Sequence, residues 1–146
     1  MSAMRAIRAE AGRHFEASAE RVFEAWLKPD LIERWMFGPT VRDEEIVHLS
    51  VDPRLGGAFS FMVERDGQKI EHLGKYLEFE RPRRLVFTWM VADESVGSRV
   101  LVEIAPRGEG CELRLVHEVH PSWAAQVAQI SASWQRMLEG LAAALQ

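Results

Sequence analysis

The sequence contains a single cysteine among its 146 residues, Cys111. No internal disulfide can form from one thiol, which excludes the stapled secreted scaffolds and makes a reducing cytoplasm the simplest home. Positive charge is scarce as well: 18 Lys and Arg stand against 22 Asp and Glu, for a formal net charge of −4. Nucleic-acid binding needs clustered basic side chains. Arg81, Arg83 and Arg84 do cluster, but they flank Pro82 between two strand-like runs and read as a solvated turn. No apolar run approaches the length of a membrane span, and the opening Met1–Arg8 has no apolar leader core. Repeats, low-complexity stretches and linkers are also missing, so one domain over 1–146 is expected. What the chain does have is apolar mass: 47% of its residues are hydrophobic, among them five Trp and seven Phe. That suffices for one core and argues against disorder.

The apolar residues fall into two periods. Ile7 to Ala17 alternate weakly, as a first strand. Ser18 can cap a helix with Glu20 in its first turn, and Val22, Phe23, Trp26 and Leu27 form one helical stripe. Lys28-Pro29-Asp30 breaks and restarts the chain, Pro29 suiting a first helical position. Leu31, Ile32, Trp35 and Met36 repeat the spacing until Gly38-Pro39 stops it. Six strands separated by turns follow: Ile46–Val51, Gly57–Glu64, Lys69–Glu80, Arg84–Val91, Ser98–Ala105 and Cys111–Val119. Asp66-Gly67 is a hairpin signal, and short turns predict antiparallel neighbours. Pro121-Ser122 then opens one long helix. Trp123, Val127, Ile130, Trp134, Leu138, Leu141 and Leu145 form its apolar stripe, the natural cover for a one-faced sheet.

Several chemical signals have plainer explanations. Gly56-Gly57 after Asp52-Pro53-Arg54 fits neither a Walker loop nor a dinucleotide fingerprint; a tight turn braced by an Asp52–Arg54 pair is expected. His117 and His120 make His-x-x-His, but residues three apart on a strand point to opposite faces, so no metal site and no cofactor are expected. His117 shares a face with Leu113 and Leu115 and should point toward the helix, as a hydrogen-bonded interior group or as a ligand contact. His72, Gly74 and Tyr76 share one face of their strand, and Leu73, Leu77 and Phe79 the other. Either face can be the inner one, and Gly74 either admits a ligand or marks a bulge. Nothing suggests thiolate activation at Cys111, and Asp43-Glu44-Glu45 reads as a solvated acidic loop. Trp26, Trp35, Trp89, Trp123 and Trp134 either build the core or line a cavity left in it.

The order strand, two short helices, six strands and long helix resembles the family of activators of the 90-kDa heat shock protein ATPase, within the START-like (Bet v 1-like, SRPBCC) superfamily. The resemblance is carried by Ser18-Ala-Glu-Arg-Val-Phe-Glu-Ala-Trp26, Asp52-Pro-Arg-Leu-Gly-Gly-Ala-Phe-Ser-Phe61, Gly74-Lys-Tyr76, Pro82-Arg-Arg-Leu-Val-Phe-Thr-Trp89, Leu113-Arg-Leu-Val-His117 and Trp134-Gln-Arg-Met-Leu138. It implies an α+β helix-grip fold, a curved antiparallel sheet of about seven strands around the C-terminal helix. It also implies a small apolar molecule as partner, held between sheet and helix. Phe59, Phe61, Phe87, Trp89, Trp134 and Met137 or Leu138 would form the walls, His117 with Tyr76 or His72 would orient polar atoms, and Trp35 with Phe37-Gly38-Pro39 would lie near the entrance. Two other readings stay open. One is a protein-interaction module acting on a chaperone, since the family name comes from co-chaperones. The other is a cyclase or hydrolase using His117 or His72, although no catalytic constellation is legible. A symmetric homodimer is admissible, symmetric pairs being the commonest assemblies.

Overall fold

The computed structural model describes residues 7–37, 44–92 and 97–145. The Gly38-Pro39 stop, most of the expected entrance segment and Asp43 lie outside the described residues. Strand β1 (Ile7–Phe15) is followed by helices α1 (Ala19–Ala25) and α2 (Pro29–Trp35). Six strands come next: β2 (Glu45–Val51), β3 (Ala58–Arg65), β4 (Gln68–Glu80), β5 (Arg84–Val91), β6 (Ser98–Arg107) and β7 (Gly110–Val119). A 3-10 turn over Pro121–Gln126 leads into α3 (Val127–Ala144).

The seven strands form one antiparallel sheet in the order β1-β7-β6-β5-β4-β3-β2. Strands β2 to β7 meander, and β1 closes onto β7, so the first two strands lie at opposite edges. Local chemistry sets the breaks. Ser18 Oγ accepts the Arg21 amide at 3.2 Å to cap α1, and Pro29 starts α2 where its missing N–H costs nothing. Asp66 and Gly67 both take positive φ, 52° and 79°, as a two-residue hairpin of primed type requires. The Asp52–Arg54 pair forms as expected, Nε to Oδ2 2.8 Å, beside a turn closed by Gly57 N–H to Arg54 C=O.

The concave face holds the core, in which Phe23, Trp35, Leu115, Leu138 and Leu141 are fully buried. The convex face carries a row of ion pairs. Glu78 of β4 meets Arg84 of β5, which meets Glu103 of β6; Arg114 of β7 meets Glu103 and then Glu10 of β1. Helix α3 also closes the β1 edge. Gln135 accepts the Gly12 N–H at 3.2 Å and donates to the Gly12 carbonyl at 3.0 Å, and Ser131 Oγ accepts the Glu10 N–H at 3.1 Å. A side-chain amide thus stands where the next strand's peptide would be.

Three expectations need correction. The helix expected from Pro121 begins as a 3-10 turn, and the changed pitch swings Trp123 off the buried stripe, leaving it 42% exposed. Glu44 is not part of a solvated loop; its side chain is 2% exposed and held by Arg65 Nη2 at 2.8 Å. In β4 a register shift between Tyr76 and Glu78 changes the parity of the strand. His72, Gly74 and Tyr76 therefore face inward together with Phe79, while Leu77 is exposed.

Candidate functional site

The inner face of β3, β4 and β5 is paved with rings. Phe59 lies 4.8 Å from Phe61, 5.7 Å from Tyr76, 5.6 Å from Phe87 and 5.9 Å from Trp89, centroid to centroid. The paving needs Gly74, since a Cβ there would come within 2.2 Å of Phe59 Cζ and 2.0 Å of the Thr88 carbonyl oxygen. The room over Gly74 is thus occupied by the protein's own ring. From the helix side Trp134 meets Trp89 at 5.8 Å and Trp26 at 6.1 Å, and Trp26 meets Trp35 at 4.7 Å. Trp35 donates its indole N–H to the Ala25 carbonyl at 2.9 Å. His72 stacks on Trp89 at 5.2 Å and lies 5.9 Å from Phe37.

This interlocking fills the middle of the grip. A void of about 10 Å3 remains, bounded by Trp26, Phe59, Phe61, Tyr76, Phe87 and Trp89 among others. That is about the room of one water molecule. The Trp26 indole N–H, buried beside it, has no acceptor among the described residues. Burial, and then the charge of Asp52, push the Tyr76 phenol well above its usual pKa.

A larger space than this void lies at one end of the grip. A cavity of about 180 Å3 opens where the end of β5, the start of β6, the end of β7 and the beginning of the helical segment meet. Trp89, Met90 and Val91 come from β5, Gly97 and Ser98 from the start of β6, and His117, Val119 and His120 from the β7 side. Trp123 and Ile130 close it from the helical side. Of the ten residues singled out from sequence, Trp89 and His117 line this cavity. Phe59, Phe61, Tyr76 and Phe87, again with Trp89, border the small void. Trp35, His72, Trp134 and Leu138 are buried in the packing between. Sequence reasoning did not assign Ser98, Val119 or Ile130 to a site, and weighed His120 only as a metal ligand beside His117. Adjacency was the signal for two of them: Val119 continues the His117 face, and Ile130 lies one helical turn before Trp134.

His117 is tied at both ring nitrogens. The Trp134 indole N–H donates to Nδ1 at 3.0 Å, so Nδ1 carries no hydrogen. The neutral ring's hydrogen is then on Nε2, which donates to Ser98 Oγ at 2.7 Å. Ser98 in turn donates to the Trp89 carbonyl at 2.9 Å. Burial lowers the His117 pKa from 6.5 to about 4, so the ring is neutral near pH 7. The Ser98–His117 contact superficially resembles a hydrolase pair, but the proton sits on the wrong nitrogen. A general base needs a free lone pair toward the serine, and here the only lone pair is consumed by Trp134. The chain of bonds fastens α3 to the β5–β6 hairpin.

Residues 16–146 match the family described as Activator of Hsp90 ATPase homolog 1-like protein. The chain belongs to this family. Comparison with curated proteins returns no match. Among solved structures, a protein from Rhodobacter sphaeroides superposes with a TM-score of 0.83 at 22% identity, over 99% of this chain and 93% of that one. The solution structure of an AHSA1-like protein from Aeromonas hydrophila gives 0.76 at 25% identity, over 95% and 92%. DynU16, from the dynemicin biosynthetic locus, gives 0.75 at 20% identity over 94% of this chain and 46% of its own. The seven-stranded sheet, the short helices after β1 and the C-terminal helix are the helix-grip arrangement of START-like proteins.

Proposed function

We propose that this family member binds a small hydrophobic molecule in the cavity at the open end of the grip, beneath the start of α3. One observation carries the reading: about 180 Å3 of space lies between apolar walls, with the Trp123 indole left 42% exposed beside it. A large exposed ring at a concave apolar surface is the usual mark of a binding site. An apolar cavity of about 150 Å3 holds benzene, so a single substituted ring or a short branched chain fits. A sterol or a whole lipid tail does not fit this space. The biosynthetic-locus setting of DynU16 agrees with a fold that handles small molecules, and supports the reading through the fold alone.

Affinity would come mainly from apolar burial. A probe of about nine non-hydrogen atoms contributing roughly 0.5 kcal/mol each binds with sub-millimolar Kd. The test is titration of one-ring aromatics followed by the indole N–H resonances of the five tryptophans. Saturable shifts at Trp89 and Trp123 that disappear in Ile130→Phe, which fills the space, are the expected result. Absence of saturable shifts at those two indoles with every probe would sink the proposal.

A further inference from the structure

Five described lining residues carry side-chain hydrogen-bonding atoms: Ser98, His117, His120 and, through their indole N–H groups, Trp89 and Trp123. His117 has both nitrogens committed within the protein, to Trp134 and Ser98. Ser98 gives its hydrogen to the Trp89 carbonyl and receives one from His117. His120 differs from both. Its Nδ1 accepts the Ser122 backbone N–H at 3.1 Å and lies 2.9 Å from Ser122 Oγ, capping the 3-10 turn. A nitrogen that accepts carries no hydrogen, so the neutral ring's hydrogen is on Nε2. No described residue accepts it. Among the described residues that line the cavity there is no Asp, Glu, Lys or Arg.

From this inventory we infer that the His120 Nε2–H is the polar anchor of the cavity, and that its ligand is an apolar ring bearing a carbonyl-type oxygen, as in an aryl ketone, aldehyde or ester. The inference rests on the proposed binding of a small molecule at this site. Capping fixes the tautomer before any ligand arrives, so the donor is pre-set rather than recruited. A bare hydrocarbon would strip this N–H of water and return nothing, whereas a carbonyl oxygen replaces the lost bond. The same ring holds the first turn under Trp123 in place and reads the ligand's oxygen.

The probes are acetophenone and α-methylstyrene, which have the same shape but carry C=O and C=CH2. Their dissociation constants are measured by the indole N–H titration on the full chain and on three variants. His120→Asn and His120→Ser each keep a cap acceptor for Ser122 and remove the Nε2–H. His120→Gln places an amide N–H at about the reach of Nε2. The expected result is that the preference for acetophenone falls about 2- to 10-fold in the Asn and Ser variants and recovers in the Gln variant. A preference unchanged across all four chains overturns the anchor and leaves the cavity standing. Failure of both probes to bind the unaltered chain overturns the cavity reading, and the anchor with it.

Discussion

Replacing His117 by Asn turns the interior hydrogen-bond chain into a pH experiment. The asparagine oxygen occupies the position of Nδ1 and can still accept from Trp134, but the titrating ring is gone. In the unaltered protein the ring is 6% exposed, and burial holds its pKa at about 4 against 6.5 for the free group. Between these two pH values the unfolded chain binds a proton that the folded chain refuses. Stability therefore falls as the pH falls through this window, by about 1.4 kcal/mol per pH unit. The full effect is about 3 kcal/mol by pH 4, with no further loss below, and this term is absent above about pH 7. The Asn variant starts at pH 7 with a deficit of about 1–3 kcal/mol from lost packing and the lost Ser98 bond. That deficit should shrink toward zero, or reverse, by pH 4. Urea unfolding followed by tryptophan fluorescence at pH 7, 6, 5 and 4 gives the difference, in which titrations elsewhere cancel. A stability gap that stays constant across the four pH values would refute the neutral, buried imidazole.

Gly74→Ala should cost roughly 2–4 kcal/mol, because its methyl group meets backbone at Thr88 as well as the Phe59 ring; urea unfolding measures it, and a loss under 1 kcal/mol would mean that the paving can shift. Gln135→Ala should remove about 1 kcal/mol and speed hydrogen exchange at the Gly12 amide, while Ile104 in the middle of the sheet keeps its protection. Arg114→Ala breaks the convex row at Glu10 and Glu103, yet exposed pairs are weak, so a change within about 1 kcal/mol that vanishes in 1 M salt is expected. A loss above 2 kcal/mol would show that the row acts as one network.

Turn chemistry made the strands readable. Asp66-Gly67 and the glycines around Glu109 end their strands in the sequence as they do in the fold, and the alternation of Leu113, Leu115 and His117 showed which face of β7 is buried. Two features could not be read that way. The orientation of β4 depends on a shift of register at Tyr76, which is a property of its pairing with β5. The 3-10 pitch after His120 depends on a capping bond that competes with the α-helical period suggested by Trp123 and Val127. The aromatics were legible as inner residues, but whether they leave space is a matter of how they interlock. Phe59 over Gly74 closes the middle of the grip, and no spacing rule anticipates that contact. The partners of His117 lie 17 and 19 residues away along the chain, beyond the reach of any local pattern.

The amide of Gln135 against Gly12 bears on how open the sheet is to a foreign strand. A sheet with two bare ends can recruit neighbours at both and propagate into a fibre. Here the β1 edge is partly covered by the molecule's own helix at Glu10 and Gly12, and the opposite edge is β2, broken in register between Ile46 and His48. A side-chain amide and a hydroxyl from the helix take up backbone groups that a neighbouring strand would otherwise pair with. Three hydrogen bonds from a helix thus make β1 a poorer template for strand addition than a bare edge.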